Sequence, residues 1–135
     1  MEPSEAQTAA SQPRRFRVVV ADDMTINADT LSDVLRMMGH DVITTYNGTE
    51  AITAGATFQP DVYVLDLGMP GLNGYDTCRQ IRASESGKSV SIVALSGWGR
   101  REDLEKAVAA GFSGFLLKPA SPVELVSLFA RWTPM

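Results

Sequence analysis

Five short apolar runs along the chain, rich in β-branched residues, have the length and composition of buried strands. One of them runs from Val62 to Leu65, ends at the carboxylate of Asp66 and is soon followed by Gly68 and Pro70. Because this run is too short for an ordinary helix, we predict a strand whose carboxyl end carries that acid. The predicted strands are residues 17–21, 42–46, 62–66, 90–95 and 115–117.

Between these runs, apolar residues recur at the three- to four-residue spacing of amphipathic helices, and glycines or prolines mark where the helices stop. The last helix has the strongest local signal, since Ser121-Pro122-Val123-Glu124 combines a capping box with proline at the first helical position. The predicted helices are residues 25–38, 49–58, 75–83, 100–110 and a final helix that opens at residue 121.

Regular alternation of strands and helices predicts an α/β fold, in which helices cover both faces of a parallel sheet. Five βα units are typical of a doubly wound, flavodoxin-like sheet with strand order 2-1-3-4-5. Residues 1–13, rich in Ala, Ser, Gln and Glu, are predicted to be a flexible tail. Residues 14–135 are predicted to be one domain, with no room for a second after the last helix.

Composition and charge exclude several classes of function. Hydrophobic residues make up 44% of the chain and charged residues 21%, which is ordinary for a globular protein. The net charge of −4 predicts no nucleic-acid binding, and no apolar run approaches the roughly 20 residues of a membrane span. The amino terminus lacks a secretory signal, so we expect a cytoplasmic protein. The single cysteine, Cys78, is predicted to pack on the third helix, and His40 to lie solvated in a loop.

Four of the five predicted strands end in a polar functional group. The first ends in Asp22 and Asp23, the third in Asp66, the fourth in Ser96 and the fifth in Lys118. In the 2-1-3-4-5 order the first and third strands are neighbours, and ligands bind outside the carboxyl ends of the strands. We therefore expect the three acids to converge on one crevice, with the hydroxyl and the ammonium to one side.

Three close carboxylates repel one another, and a hard divalent cation such as Mg²⁺ would relieve that repulsion. The ammonium of Lys118 and the hydroxyl of Ser96 suit the oxygens of a phosphoryl group. An acid after a strand can also simply cap the next helix, but the grouping of these residues favours a site. A carboxylate nucleophile flanked by Mg²⁺ and a lysine can form an aspartyl-phosphate.

This set of residues resembles the signature of receiver (CheY-like) domains of two-component response regulators, over about residues 17–132. Each motif is weak alone, but together they stand in the right order at the ends of the predicted strands. They are Asp22-Asp23, Asp66 followed by Met69-Pro70 and Gly74, Ser96-Gly97, and Lys118-Pro119.

The resemblance implies that Asp66 accepts a phosphoryl group from a phosphohistidine on a histidine kinase or a histidine phosphotransfer protein. It also implies a Mg²⁺ ion that Asp23 binds directly and Asp22 binds mainly through water. Asp66 and the backbone carbonyl of Gly68 would complete the protein ligands. The domain would catalyse only its own phosphorylation and dephosphorylation.

The same resemblance assigns Ser96 and Lys118 to contacts with the phosphoryl group and makes the Lys118–Pro119 peptide bond cis. Phe115 matches the aromatic switch residue of the family, and because it lacks a phenol, the switch must use ring packing. Movement of Ser96 and Phe115 would change the face formed by the fourth helix, the fifth strand and the fifth helix. A downstream protein partner would bind at that face.

The expected function is a phosphorylation-dependent switch in a phosphorelay, carried by a single-domain regulator without an output domain. A receiver fragment of a hybrid histidine kinase is an alternative. A Mg²⁺-dependent phosphatase acting through an aspartyl-phosphate is another, but such enzymes usually carry a second acid where this chain has Gly68. A degenerate receiver that binds partners without phosphorylation is disfavoured by the intact Asp66 and Lys118.

Overall fold

The computed structural model describes residues 15–132, in which five strands alternate with five helices as the hydrophobic pattern predicts. The elements are β1 (Arg17–Ala21), α1 (Thr25–Met37), β2 (Asp41–Thr45), α2 (Gly48–Phe58), β3 (Val62–Asp66), α3 (Gly74–Ala83), β4 (Ser91–Ser96), α4 (Arg101–Ala110), β5 (Gly114–Leu117) and α5 (Pro122–Phe129). The predicted tail, residues 1–13, lies outside the described residues, as do residues 14 and 133–135. Within the described part of the chain, no helix is long and apolar enough to cross a membrane.

All five strands are parallel and lie in the order β2-β1-β3-β4-β5, which confirms the predicted doubly wound topology. β1 pairs on both sides, with Val20 opposite Thr44 of β2 and opposite Val64 of β3. β3 also pairs with β4, and there Asp66 lies opposite Leu95. Because the paired strands run in the same direction, their carboxyl ends lie along one edge of the sheet.

Each face of the sheet has its own hydrophobic core, because alternate strand residues point to opposite faces. On one face, Val20 and Val64 belong to a buried cluster that includes residues of α1 and α5. On the other face, Val19, Leu65 and Ile92 cluster with residues of α2, α3 and α4. Strands buried on both faces need apolar residues at nearly every position, which is why they stand out in the sequence as continuous apolar runs.

Side-chain caps fix where three of the helices begin. The side chain of Asn47 accepts a hydrogen bond from the Glu50 amide at the start of α2, and that of Asn73 accepts one from the Asp76 amide at the start of α3. The predicted capping box of α5 is present, with Ser121 as the cap. These caps satisfy backbone amides that have no partner within the helix.

The start of α3 rests directly on the end of β3. A Cβ atom at Gly74 would lie 2.5 Å from the carbonyl oxygen of Asp66 and 2.7 Å from Cα of Leu67, so no larger residue fits there without a shift. This close approach holds the backbone that carries Asp66 against a helix on one face of the sheet.

The prediction that His40 is a solvated loop residue is wrong. The side chain is buried, with 7% of its surface exposed, and its ring lies 5.4 Å from the Phe16 ring and 5.2 Å from the Phe129 ring. Nδ1 of His40 accepts a hydrogen bond from the Phe16 amide at 3.0 Å. Burial lowers the pKa of His40. The residue follows a helix end as predicted, but packing against residues distant in sequence turns it inward.

The prediction that Cys78 packs on the third helix is confirmed. Its side chain is fully buried, and the thiol Sγ lies 3.3 Å from the carbonyl oxygen of Ala110. Burial raises the pKa of this thiol to about 11. Cys78 is therefore a neutral packing residue that joins α3 to α4.

Candidate functional site

Three carboxylates meet at the carboxyl ends of β1 and β3. Asp22 and Asp23 follow β1 and Asp66 is the last residue of β3; one oxygen of each lies within 4.8 Å of the others. Asp22 and Asp66 are buried, whereas Asp23 is exposed. The structure thus brings together the three acids that stand at neighbouring strand ends in the sequence.

Backbone amides two residues further along orient two of these carboxylates. The Met24 amide donates to Oδ1 of Asp22 at 3.0 Å, and the Gly68 amide donates to Oδ1 of Asp66 at 3.3 Å. Gly68 itself is exposed, and a Cβ atom built there would meet nothing within 4 Å. The approach to Asp66 over this residue is therefore open.

Lys118 bridges two of the three carboxylates. Its Nζ lies 3.0 Å from Oδ1 of Asp66 and 3.1 Å from Oδ2 of Asp22. The residue directly follows β5, and the Lys118–Pro119 peptide bond is cis. The bridge to Asp22 has no signal in the sequence, because residue spacing does not show how far a lysine reaches across the sheet edge.

One lysine does not balance three ionised carboxylates. Burial raises the pKa of Asp22, and the charge of Asp66 adds to that effect, whereas hydrogen bonds from Met24 and Lys118 oppose it. Burial acts to lower the pKa of Lys118, but its hydrogen bonds and charge interactions with Asp66 and Asp22 outweigh burial, so the pKa is raised. The lysine is thus held as a cation in a site that keeps excess negative charge.

The donor set fits a hard divalent cation. Carboxylate oxygens are ligands that Mg²⁺ prefers, and Mg²⁺ commonly uses only one or two of them together with water and phosphate oxygens. Two buried acids and one exposed acid provide such oxygens beside solvent. A bound cation would also offset the excess negative charge, so the residues present suit Mg²⁺.

Ser96 ends β4, one residue after the position opposite Asp66. Its side chain is buried, with 5% of its surface exposed. The hydroxyl oxygen accepts hydrogen bonds from the amides of Trp98 at 3.2 Å and Gly99 at 3.3 Å. In this structure the hydroxyl therefore supports the connection between β4 and α4.

Phe115 lies on β5, half-buried, opposite Ala94 of β4. It packs against a small cluster that contains Leu67, Ala94 and Ala107. The predicted switch aromatic is thus in contact with β4 and α4, two elements that flank the connection supported by Ser96.

Large exposed apolar side chains are concentrated around the β5 edge of the sheet. Of the nine such residues in the described part of the chain, six lie between the β4–α4 connection and α5. These six, which we call the apolar face, are Trp98, Leu104, Val108, Leu117, Val123 and Val126. Singly exposed apolar residues are common on folded proteins, so the observation here is their concentration near one edge of the sheet.

A groove of about 330 Å³ opens beside the carboxylates, between α1 and the segment that follows β5. Asp22 and Lys118 line it together with mainly apolar residues of both elements. No sequence pattern indicates this groove, because it depends on the separation of α1 from the cis peptide.

A doubly wound sheet with three acids, a serine hydroxyl and a lysine at its strand ends defines the class of receiver domains. The chain belongs to the response regulator receiver domain family, whose model matches residues 18–130. It is therefore a signalling domain of two-component systems.

The curated relatives are response regulators. The chain is 40% identical over 113 residues to the DNA-binding response regulator MtrA of Mycobacterium tuberculosis (strain ATCC 25618 / H37Rv), covering 84% of this chain and 48% of MtrA. It is 31% identical over 115 residues to the response regulator PleD of Caulobacter vibrioides (strain NA1000 / CB15N), covering 85% of this chain and 25% of PleD. The chain thus spans about half of one relative's length and a quarter of the other's.

Solved structures of receiver domains share the fold. The receiver domain of the sensor histidine kinase PA1611 from Pseudomonas aeruginosa PAO1 is 30% identical, with a TM-score of 0.80 over 87% of this chain and 96% of that one. That structure has a magnesium ion coordinated in its active site cleft. The chemotaxis response regulator CheY4 of Vibrio cholerae is 27% identical, with a TM-score of 0.79 over 85% of this chain and 96% of that one. These similarities confirm the predicted flavodoxin-like receiver fold.

Proposed function

We propose that Asp66 accepts a phosphoryl group from a phosphohistidine on a histidine kinase or a histidine phosphotransfer protein. A carboxylate oxygen of Asp66 attacks phosphorus, and the P–N bond to the imidazole breaks as the new P–O bond forms. The imidazole leaves with the bonding electron pair and takes up a proton from solvent. The observation that carries the proposal is the Lys118 ammonium, 3.0 Å from Oδ1 of Asp66 within a cluster of acids at the sheet edge.

We assign a Mg²⁺ ion to the same cluster. Asp23 would bind it directly, Asp22 mainly through water, and Asp66 and the carbonyl of Gly68 would complete the protein ligands. When bound, the ion offsets the negative charge of the carboxylates and of the phosphoryl oxygens. The assignment is supported by the oxygen donors within 4.8 Å of one another and by the magnesium ion in the PA1611 receiver domain.

Lys118 and Ser96 are proposed to hold the phosphoryl group. The ammonium of the lysine already contacts Asp66. It can therefore pair with an oxygen of a phosphoryl group on Asp66 without a large movement. The hydroxyl of Ser96 would donate a hydrogen bond to another of these oxygens; the Trp98 and Gly99 amides donate to its oxygen and do not use its proton. Gly68 has no side chain that could act as a general acid, which favours a phosphorylation switch over a phosphatase.

Movement of Ser96 is proposed to let Phe115 shift and so to change the apolar face. Phe115 packs with Ala94 and Ala107, on strands and helices next to that face. A downstream protein would recognise the altered arrangement of α4, β5 and α5. Receiver states need differ by only a few kcal/mol to be switched by one phosphoryl group.

The test is phosphorylation by acetyl phosphate with Mg²⁺, followed by intact mass. The unmodified protein should gain the mass of one phosphoryl group, and Asp66→Asn should gain none, because the amide has nearly the same shape but is not nucleophilic. Asp103→Asn, in the first turn of α4, is the matched control and should be phosphorylated normally. A stable phosphoryl group on the Asp66→Asn protein would show that another residue is the acceptor.

A further inference from the structure

The connection between β4 and α4 is held at its start by Ser96. This connection, which we call the β4–α4 loop, comprises residues 97–100. The amides of Trp98 and Gly99 both donate to Oγ of Ser96, at 3.2 and 3.3 Å. The hydroxyl that is proposed to donate to the phosphoryl group is therefore held in place by two amides that donate to its oxygen.

Leu117 holds the same loop from the side of β5. Gly99 has a φ of +66°, a left-handed conformation that glycine adopts readily and L residues rarely do. A Cβ atom at Gly99 would collide with Cδ2 of Leu117, so the leucine side chain lies directly against the loop backbone. The next residue, Lys118, donates its amide to the Ser96 carbonyl at 2.8 Å, which ties the ends of β4 and β5 together.

The rest of the loop faces solvent. Gly97, Trp98 and Arg100 are exposed, and a Cβ atom at Gly97 would meet nothing within 4 Å. Arg100 begins α4 without a side-chain hydrogen bond that caps the helix. The Ser96 hydroxyl and the Leu117 side chain are therefore the two contacts that position the Trp98 and Gly99 amides from the protein side, and the Arg100 guanidinium, 4.9 Å from the centre of the Trp98 ring, adds a contact on the exposed side.

We propose that Leu117 is a positioning residue for Ser96. Its side chain keeps the Gly99 turn closed, so that the two loop amides stay aimed at the Ser96 hydroxyl and hold it in the unphosphorylated arrangement. Leu117 is itself 49% exposed and belongs to the apolar face, so a partner that covers it acts on the same contact. Because coupling between two sites is reciprocal, such a partner changes how readily Ser96 reaches a phosphoryl group. This role of Leu117 rests on the proposed function of Asp66 and Ser96.

The first experiment needs no phosphorylation. Amide hydrogen exchange of Trp98 and Gly99 is measured by NMR in the unmodified protein and in Leu117→Ala, Ser96→Ala and Val126→Ala. Exchange should be roughly fivefold faster in Leu117→Ala and in Ser96→Ala, since each loses one of the two contacts. Val126→Ala, an apolar truncation elsewhere on the apolar face, should leave both amides unchanged, and Leu117→Met should restore most of the protection. Unchanged exchange in Leu117→Ala overturns the proposal.

The second experiment uses beryllofluoride with Mg²⁺ as a mimic of the phosphoryl group. Leu117→Ala should bind it roughly fivefold more tightly than the unmodified protein, because the two loop amides no longer hold the Ser96 side chain in its present position. Adding Leu117→Ala to Ser96→Ala should give no such gain over Ser96→Ala alone. A purely structural effect of Leu117 would not depend on Ser96 in this way. Equal affinity of Leu117→Ala and the unmodified protein overturns the positioning role. If the unmodified protein fails to bind beryllofluoride at Asp66, the proposed function is overturned instead, and amide exchange alone decides whether Leu117 holds the loop.

Discussion

The centre of the sheet and its β5 edge are packed very differently. Residues 18–21 of β1 and all of β3 are buried, whereas three residues of β5 are half-buried and the fourth, Leu117, is exposed. The helix α4 lies next to that edge. Its buried residues are two alanines, and two of its larger apolar residues are exposed. The carboxylates stand at the densely packed centre, whereas the apolar face lies on the loosely packed β5 and α4 and on the outer side of α5, whose inner side is buried.

This difference suits the two parts of the proposed function. Groups that must hold a cation and a phosphoryl group need fixed positions, and residues packed on both sides cannot move without opening a void. A surface that reports the state of the site must instead move at a small cost in free energy, as regions with few buried contacts can. The contrast predicts that substitutions in the centre mainly change stability or chemistry, while those at the edge mainly change local motion.

The largest expected effect is the difference in the free energy of unfolding between two leucine truncations. Leu65→Ala removes a fully buried side chain from β3 and should lower the free energy of unfolding by about 2–5 kcal/mol. Leu104→Ala removes a side chain that is 45% exposed on α4 and should change it by only about 0.5 kcal/mol. Urea unfolding followed by circular dichroism measures both. Similar losses in the two variants would show that edge and centre are equally well packed.

Mg²⁺ should stabilise the centre by binding to the native state. At a concentration 100-fold above its dissociation constant, the gain is about 2.7 kcal/mol for one site. Asp23→Ala should remove most of this gain, because the exposed acid is the ligand assigned to direct binding. Asp103→Ala, on α4, should lose none of it. Thermal unfolding with and without Mg²⁺ tests this, and an equal response of Asp23→Ala and the unmodified protein contradicts the assignment.

A smaller effect is expected from the one histidine of the chain. Burial lowers the pKa of His40, and protonating Nδ1 would replace the acceptor of the Phe16 amide with a second donor. The contribution of neutral His40 to the free energy of unfolding should therefore be fully present above the ordinary histidine pKa of about 6.5. It should fall as the pH drops from there toward the lowered pKa, by at most about 1.4 kcal/mol per pH unit.

Two variants separate the charge of His40 from its packing. His40→Asn keeps an acceptor near Nδ1 and cannot titrate in this range, whereas His40→Phe keeps a ring without the acceptor. Both should lose the part of the pH dependence between pH 7 and 5 that belongs to the histidine, measured by urea unfolding at each pH. A full pH dependence retained in His40→Asn would assign it to other groups.

His40 also shows where prediction from the sequence stops. The strand ends could be predicted because Asp22, Asp66 and Lys118 each follow directly on an apolar run, and alternating strands and helices leave few topologies. The cap at Ser121 could be predicted because its partners are contiguous in sequence. Features of this kind depend only on neighbours along the chain.

Contacts between residues distant in sequence had no such signal. The His40 ring packs against both Phe16 and Phe129, whose rings also contact each other, because the end of α5 packs beside the start of β1. The placement of Leu117 on Gly99 likewise depends on how the β4–α4 loop meets β5. In the sequence, His40 looks like any polar residue after a helix, and Leu117 like any strand leucine.

The smallest expected effect tests how loosely the β4–α4 loop is held. The guanidinium carbon of Arg100 lies 4.9 Å from the centre of the Trp98 ring, and that ring is 76% exposed. A cation–π contact at such an exposed site contributes about 0.5–1 kcal/mol at most, so Arg100→Ala should leave the free energy of unfolding nearly unchanged. Acrylamide should nevertheless quench Trp98 fluorescence more strongly, because the Arg100 side chain no longer covers the indole. All proteins compared carry Trp132→Phe, which removes the signal of the other tryptophan. Arg101→Ala, the adjacent exposed arginine, should change neither quantity. A loss of stability well above about 1 kcal/mol in Arg100→Ala would mean that the loop is anchored as firmly as the sheet centre, and the contrast between the two regions would end at β5 and not include the loop.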